Sequence, residues 1–288
     1  MRKKLITILG PTASGKTRLA ISLAERYGGE IVCADSRTIY RDLDVGTAKP
    51  GRAEQRAVKH HLLDIIDPDQ DFSAKEFKIA AQTAIEAIRA RQKLPFLVGG
   101  SGMYIDSVLF DYQFRHPRLY PDVDLDGKGL DELVALATEK YPAAVNKIDT
   151  KNRRRVEQLI LKGPAKDDDR INLKIDSLVL GVSTNIPTLK QNIASRTAEI
   201  LNNGLVQETE ELVRKWGRGN VLWQTTGYGA VMKFLDSQIG EDDLAEQINR
   251  DTLALAKKQI TWFRRNQFIR WIESEDEAAA LIDAYIGA

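Results

Sequence analysis

A glycine-rich segment near the start of the chain has the residues and the spacing that bind phosphate groups. Residues 8–20 read ILGPTASGKTRLA, and Gly10, Gly15, Lys16 and Thr17 fit the pattern G-x-x-x-x-G-K-[ST]. Glycines let the backbone curve so tightly that its N–H groups converge on one anion. The Lys16 ammonium adds positive charge, and the Thr17 hydroxyl is the usual Mg²⁺ ligand of such a loop. The segment therefore predicts binding of a diphosphate or a triphosphate.

The segments on either side of this loop predict a strand and a helix, as the motif requires. KLITIL before the loop is an apolar, partly β-branched run, and TRLAISLAERYG after it has apolar residues at helical spacing. The same alternation continues along the chain, which indicates a parallel sheet covered by helices on both faces. We therefore predict an α/β fold, a P-loop NTPase-like parallel sheet with flanking helices, with strands at 5–9, 30–35, 94–100 and 177–184 and helices at 16–27 and 73–92.

Two further polar residues follow predicted strands, where the ligands of parallel sheets collect. Asp35 ends the strand EIVCAD and faces the phosphate loop, and Ser101 lies between glycines in LVGGSGMYID. Asp35 is a candidate for chemistry, but it could instead be the N-cap of the next helix or a Mg²⁺ contact. Ser101 could likewise be only a helix N-cap. The residues alone leave these alternatives open.

The composition limits the class of protein. The chain has 288 residues with 42 Lys and Arg against 41 Asp and Glu, so a nucleic-acid partner would have to bind local basic patches. The single cysteine, Cys33, excludes an intramolecular disulfide and a cysteine-rich metal site. No apolar run has membrane-spanning length, and no signal-peptide pattern precedes the first strand. We expect a cytoplasmic monomer that makes no contact with membranes.

The chain divides into three segments by its sequence pattern. Residues 1–110 are predicted to form the catalytic core with the phosphate loop. Residues 111–170 contain several prolines and alternate acidic and basic clusters, which indicates a small, mainly helical insertion. Residues 171–288 are predicted to return one strand to the sheet and then to form C-terminal helices. In the last of the predicted long helices four apolar residues recur every seventh position and should face the core: Ile248, Leu255, Trp262 and Ile269.

Several motifs, in order along the chain, resemble those of the tRNA dimethylallyltransferase family. They are GPTASGKT, ADSRTIYRDLDVGTAKP, HHLLDIIDPDQDFSAKEF, LVGGSGMYID and AKKQITWFRR, and the similarity runs to about Arg270. A phosphate loop is shared by many unrelated proteins, whereas YRDLDVGTAKP and HHLLDIIDP are far more specific. The resemblance implies transfer of a five-carbon prenyl group from dimethylallyl diphosphate to N6 of adenosine 37, in the anticodon stem-loop of a tRNA.

The resemblance also implies catalytic roles for individual residues. Asp35 would accept a hydrogen bond from N6 and take its proton as general base. Ser101 stands where the family usually has Thr and would contact the amine or a phosphate oxygen. Mg²⁺ would bind at Thr17, and Lys16 would stabilise the charge on the leaving group. The departing diphosphate would be held by the whole loop, that is by Gly10, Pro11, Thr12, Ala13, Ser14, Gly15, Lys16 and Thr17.

Contact with tRNA is implied for three further sets of residues. The target base must leave its stack to reach a pocket beyond the sheet. That pocket would be lined by Asp35, Ser36, Arg37 and Thr38. The insertion would bind phosphates through Lys151, Arg153, Arg154 and Arg155, although such a cluster taken alone is more often a solvated face. The C-terminal helix would contribute Lys257, Lys258 and Arg264.

The chain departs from the family at two positions. Gly229 stands after TGY, where the family usually has an Arg or Lys that reaches the diphosphate, and Leu253 stands where an Arg is common. Another cation could substitute for the missing one, and the candidates are Arg37, Lys49 and Arg250.

Three other functions remain open from the sequence. A P-loop kinase would transfer the γ-phosphate of ATP to a small molecule or nucleoside, but LPFLVGGSG lacks the strand Asp that would bind its Mg²⁺. A related enzyme type prenylates free AMP, although the extra basic segments favour tRNA. A catalytically inactive tRNA-binding relative would fit the loss at Gly229, but the retained Lys16, Thr17 and Asp35 argue against it.

Overall fold

The core of the molecule is one parallel β-sheet. The computed structural model describes residues 4–114, 124–164 and 172–287. The sheet has six strands in the order β3-β2-β4-β1-β5-β6, and each pair of neighbours is parallel. The strands are β1 (Leu5–Leu9), β2 (Glu30–Cys33), β3 (His60–His61), β4 (Pro95–Gly99), β5 (Ser177–Val182) and β6 (Arg270–Ile272).

The helices occupy the connections between the strands and the C-terminal half. They are α1 (Lys16–Arg26), α2 (Arg52–Ala57), α3 (Ala74–Ala90), α4 (Gly102–Leu109), α5 (Leu130–Lys140), α6 (Pro142–Val145), α7 (Arg153–Lys162), α8 (Ile186–Asn202), α9 (Leu205–Trp216), α10 (Asn220–Gln224), α11 (Tyr228–Leu235), α12 (Glu241–Phe263) and α13 (Glu275–Gly287). The predicted α/β class with a parallel sheet is therefore confirmed.

Burial on both faces explains why the central strands are apolar along their whole length. All five residues of β1 are fully buried, because β1 lies between β4 and β5 and helices cover both faces of the sheet. On one face, side chains of α1 and α13 pack against alternate strand residues, among them Ile6, Ile8 and Phe96. On the other face, α3 contacts β2 and β4. The carboxyl ends of β1, β2 and β4 consequently lie side by side, at one edge of a rigid core.

The chain forms two compact units. One comprises Met1–Asp111 and Leu173–Ala288 and contains the whole sheet. The other is Tyr112–Asn172, in which α5, α6 and α7 enclose a small core of their own around Leu133, Val156 and Ile160. Parts of the predicted insertion, residues 115–123 and 165–171, lie outside the described residues. The described remainder is helical, as the sequence pattern indicated.

The predicted sevenfold stripe is confirmed at Ile248 and Ile269, which are buried, but it is wrong for Leu255 and Trp262 and as the pattern of one helix. Helix α12 ends at Phe263, so Ile269 lies beyond it, and Leu255 is 36% exposed. The buried residues of the helix instead follow a spacing near four, with small and polar side chains among them: Leu244, Ile248, Thr252, Ala256 and Phe263. Each four-residue step advances the buried face by about 40° at 100° per residue, whereas a sevenfold step falls back by about 20°, so the buried face turns away from Leu255 along the helix.

None of the helices in the described ranges has both the length and the apolar composition needed to cross a bilayer.

Candidate active site

The phosphate loop connects β1 to α1 in the conformation that its glycines predict. Ala13 and Gly15 both adopt positive φ angles, 61° and 84°, and Gly15 immediately precedes the first helical residue, Lys16. The Ser14 N–H donates to the Pro11 carbonyl at 3.3 Å, which closes the turn. The N-terminal N–H groups of α1 therefore point toward the interior of the loop, where an anion would bind.

Lys16 is half-buried inside this loop. Its Nζ donates to the Pro11 carbonyl at 3.2 Å. Burial lowers the pKa of the Lys16 ammonium to about 8, because the charge is removed from water; the Asp35 carboxylate opposes this shift and the Arg196 guanidinium adds to it. A bound diphosphate would place negative charge beside the Lys16 ammonium and so favour its charged form. The site is therefore suited to an anionic ligand.

The cation that faces Lys16, Arg196, was not singled out from the sequence. It lies on α8, where burial lowers the pKa of its guanidinium. Its Nη1 donates to the Thr12 hydroxyl at 3.3 Å and its Nη2 to the Thr47 carbonyl at 2.9 Å. One signal could have revealed it, since Arg196 falls on the stripe of α8 whose other members are buried apolar residues: Leu189, Ile193 and Ile200.

Asp35 lies directly after β2 and begins a turn. Its Oδ1 accepts a hydrogen bond from the Arg37 N–H at 2.8 Å, the geometry of an Asx-turn. No helix follows at this point, since the next helical residue is Arg52, so the N-cap alternative for Asp35 is wrong. The turn fixes the carboxylate at the strand end.

Ser101 joins this turn to the end of β4. Its Oγ accepts a hydrogen bond from the Ser36 N–H at 2.9 Å, and it makes no capping bond to α4, although it occupies the N-cap position. The N-cap alternative for its hydroxyl is therefore also wrong. The approach is close because Gly99 lacks a side chain, and a Cβ there would overlap the Ala34 carbonyl.

Two cavities meet at these residues. The larger, about 640 Å³, is lined by Asp35, Ser36, Arg37 and Ser101 together with residues of α10, α11 and α12. The smaller, about 80 Å³, is lined by Lys16, Thr17 and Thr38. Four residues line both: Thr12, Asp35, Thr47 and Arg196. Thr38, expected beside the base, thus lies on the phosphate side, whereas the rest of the 35–38 stretch lines the large cavity.

The large cavity has an apolar and aromatic wall that the sequence did not predict. Trp223 and Met103 line it and are 40% and 42% exposed. Trp262, expected to be buried in the core, lines it too, and its indole N–H donates to Asp106 Oδ2 at 2.7 Å. Its exposure leaves Trp223 available for contact with a ligand.

The predicted tRNA-binding residues of α12 differ in position. Lys258 lines the large cavity, while Lys257 and Arg264 are exposed outside it. This follows from the 100° rotation per residue, which places neighbours on different faces.

The predicted basic residues of the helical insertion also separate into two groups. Lys151, Arg154 and Arg155 are exposed. Arg153 instead bonds within its unit, to Glu157 Oε1 at 2.7 Å and to the carbonyls of Lys128 and Leu125 at 2.6 and 3.3 Å. Its guanidinium therefore holds the start of α7 to the segment before α5.

Mg²⁺ fits the site only as an ion shared with a ligand. Thr17 and Asp35 both line the small cavity, which supplies one hydroxyl and one carboxylate. Within the described residues no cluster of three or more His, Cys, Asp or Glu side chains could hold a metal. The hydroxyl of Thr38, which also lines this cavity, is buried without a hydrogen-bond partner. Mg²⁺ typically uses one or two protein ligands plus phosphate oxygens, and this oxygen-lined space suits that arrangement.

Gly229 begins the first turn of α11 in close contact with the preceding segment. A Cβ at this position would lie 2.8 Å from the Trp223 carbonyl oxygen. Of the proposed substitutes, Arg37 lines the large cavity, whereas Lys49 is held by Asp44 and Asp64 and Arg250 by Glu246. Two cations not considered from the sequence also line the large cavity: Arg196 and Lys233.

Comparison with known proteins by sequence identifies the family that the motifs of this chain resemble. The sequence model described as IPP transferase matches residues 38–266. A tRNA dimethylallyltransferase of Macrococcus caseolyticus is 34% identical over 94% of this chain and 91% of its own length. A tRNA dimethylallyltransferase 2 of Geotalea daltonii is 36% identical over 94% of this chain and 87% of its own.

Solved structures agree in fold. The full-length tRNA isopentenylpyrophosphate transferase of Bacillus halodurans is 30% identical, with a TM-score of 0.76 over 99% of this chain and 96% of its own. A eukaryotic dimethylallyltransferase described as acting on tRNA has a TM-score of 0.84 over 99% of this chain and 80% of its own, at 24% identity. The phosphate loop, the sheet that carries it and the match over most of the sequence lead to one conclusion: the chain belongs to the IPP transferase family.

Proposed function

We propose that this protein transfers the dimethylallyl group of dimethylallyl diphosphate to N6 of adenosine 37 in the anticodon loop of tRNA, with release of diphosphate. The observation that carries the proposal is the position of Asp35. Its carboxylate lines both the small cavity beside Lys16 and the large cavity, so a proton acceptor lies where the two reactants would meet. The names of the relatives, tRNA dimethylallyltransferases, support the same substrates.

The leaving group would be stabilised by the buried cations. The C–O bond to the diphosphate breaks as the N6–C bond forms, and negative charge accumulates on the departing diphosphate. Lys16, Arg196 and the backbone N–H groups of residues 13–17 would bind this charge in a site poor in water, where such interactions are strongest. Mg²⁺ bound with Thr17 would supply further neutralisation of the phosphate oxygens. Stabilisation of the leaving group is thus the main contribution expected of this side.

The nucleophile would be activated by Asp35. An exocyclic adenine amine is a weak nucleophile because its lone pair is delocalised into the ring. Asp35 Oδ2 would accept a hydrogen bond from N6 and then its proton, while Oδ1 stays bound to the Arg37 N–H. Ser101 accepts from the Ser36 N–H, and its hydroxyl would contact the amine or a phosphate oxygen of the donor.

The large cavity would receive the flipped base. Its volume of about 640 Å³ suits a nucleobase together with the five-carbon chain, within the usual range for small-molecule sites. Trp223, Trp262 and Met103 offer the apolar and aromatic surface on which unstacked bases bind. Lys258 at the same wall would contact a phosphate of the anticodon loop.

We further propose that the protein acts as a monomer in the cytoplasm. Light scattering of the purified protein would test the monomeric state.

A set of parallel incubations discriminates among the possible reactions. The protein is supplied with Mg²⁺, labelled dimethylallyl diphosphate and, in separate reactions, tRNA, AMP, or ATP with nucleosides. We expect label in tRNA, at an adenosine of the anticodon loop located by nuclease digestion and mass spectrometry. Label in AMP alone, or phosphate transfer from ATP, would contradict the proposal. A Lys16→Met variant serves as the inactive control.

A further inference from the structure

One side chain bridges the loops that carry the two reactants. Gln259, on α12, accepts a hydrogen bond from the Thr12 N–H at 2.8 Å through its Oε1. Its Nε2 donates to the Gly100 carbonyl at 2.9 Å. Thr12 belongs to the phosphate loop after β1, and Gly100 precedes Ser101 in the loop after β4. The amide therefore connects the donor side of the site with the acceptor side.

The bridge requires an amide and a glycine. A single side chain must donate at one end and accept at the other, which a glutamine does and a carboxylate or an alkyl group does not. Gly100 makes room for it, since a Cβ there would lie 2.5 Å from Gln259 Nε2 and 3.4 Å from the Gly10 carbonyl. Gln259 on α12 and Gly100 in the loop after β4 are thus both needed for this one contact.

The loops on either side hold the reacting groups in fixed positions. On the donor side, the Thr12 hydroxyl also accepts from Arg196. On the acceptor side, Ser101 is bound to the turn that begins at Asp35. A change in the spacing between Thr12 and Gly100 would therefore move the diphosphate relative to the Asp35 carboxylate, which would accept the proton.

We infer that Gln259 is a positioning residue, which sets the separation between the diphosphate of the donor and the amine of the acceptor. The inference rests on the proposed function and adds to it a residue of the large-cavity lining whose two amide hydrogen bonds are both made to the loops. Reactions between two bound groups are sensitive to such spacing, because a displacement of about 1 Å can cost on the order of 10²-fold in rate. The effect would appear in the chemical step and not in the binding of either substrate.

The test measures single-turnover rates with saturating tRNA and labelled dimethylallyl diphosphate. Gln259→Leu and Gln259→Glu are compared with Gln247→Leu, a change of the same residue type on the same helix whose amide bonds to Asp251. We expect the rate to fall about 10- to 100-fold in both Gln259 variants. The dissociation constants of tRNA and of the donor, and the Tm, should stay close to those of the wild type, and Gln247→Leu should keep the wild-type rate.

A second variant perturbs the same bridge from its other end. Gly100→Ala leaves the glutamine in place but displaces its Nε2, so it should lower the single-turnover rate as Gln259→Leu does. Because both changes break one contact, the double variant should be little slower than either single variant.

Additive losses, or a rate within threefold of the wild type in the Gln259 variants, would overturn the inference. Reduced affinity or Tm at an unchanged saturated rate would also overturn it and make the residue structural. A wild-type protein that prenylates no tRNA would instead refute the proposed function.

Discussion

The charged residues of this protein fall into two regions with different physical surroundings. Lys16 and Arg196 lie in the interior of the site. Lys16 donates to the Pro11 carbonyl of the phosphate loop. Arg196 donates to the Thr12 hydroxyl of the same loop and to the Thr47 carbonyl. Lys151 and Arg154 on the insertion and Lys257 on α12 are exposed to solvent. The formal charges are equal, but their interactions with a ligand are not.

The difference arises from desolvation and screening. A half-buried cation has already lost part of its hydration, which lowers the pKa of Lys16, so an anion that enters meets it in a medium of lower dielectric constant than water. An exposed cation remains hydrated and is screened by salt over about 10 Å. Buried cations should therefore stabilise charge that develops in the reaction, whereas exposed ones should contribute only to the binding of a polyanion.

The largest effect is expected at Lys16. Lys16→Met should lower kcat with tRNA by about 10²–10³-fold, the range found when one donor to a developing anion is removed. The matched change at an exposed position, Lys257→Met, should alter kcat less than about threefold. Steady-state kinetics with both substrates varied would check this, and similar losses in the two variants would remove the distinction between the regions.

Asp35 should follow, as the carboxylate that lines both cavities of the site. Asp35→Ala should lower kcat by about 10²-fold or more, the scale of general-base loss, while the affinity for diphosphate persists because the phosphate loop is unchanged. Calorimetric titration with diphosphate and Mg²⁺ separates the two possible roles. Near-normal kcat with weakened Mg²⁺ binding would identify Asp35 as a metal ligand.

Arg196 should have the next largest effect. Arg196→Met should lower the affinity for dimethylallyl diphosphate by about 10- to 100-fold, since a charge-assisted hydrogen bond contributes roughly 1.5–3 kcal/mol. Arg196→Lys keeps the charge but loses one of the two hydrogen bonds, so it should recover only part of that affinity. Donor binding is measured by titration. Full activity of the Met variant would mean that Lys233 or Arg37 supplies the needed cation.

A buried charge outside the site should control stability at low pH. Glu30 is 3% exposed at its side chain; burial alone would raise its pKa, but hydrogen bonds from Arg91 and His61 lower it to about 2. Its stabilisation is present above the unfolded pKa near 4.5 and is lost as pH falls toward 2, on the order of 2 kcal/mol. Urea unfolding at several pH values should show that the free energy of unfolding depends less on pH in Glu30→Gln than in the wild type. Equal slopes of this free energy against pH in the two proteins would contradict the prediction.

The smallest individual effects are expected at the exposed cations. Neutralising Lys151, Arg154 or Arg155 one at a time should raise the Kd for tRNA only a few-fold and leave kcat unchanged. Each residue that contacts a phosphate should reduce the slope of log K against log salt concentration by somewhat less than one. Binding titrations at several salt concentrations test this. A variant with unchanged salt dependence would show that its residue faces only solvent.

The sequence by itself determined the phosphate loop and the four inner strands of the sheet, but not the edge strands β3 and β6. The loop and the inner strands depend on short-range information, since Gly15 permits the left-handed turn and the apolar run of β1 indicates a strand buried on both faces. Asp35 and Ser101 could be located at strand ends for the same reason, because parallel strands present their carboxyl ends at one edge.

Only the tertiary structure decided which distant residues complete the site. Arg196 contacts Thr12 across 184 positions and Gln259 contacts it across 247. Periodicity indicates which face of a helix is buried, as for the stripe of α8 that includes Arg196, but not which loop that face meets. Those contacts follow from how the C-terminal helices pack beside the sheet, and that packing depends on shape and volume summed over many side chains, which no local pattern of residues contains.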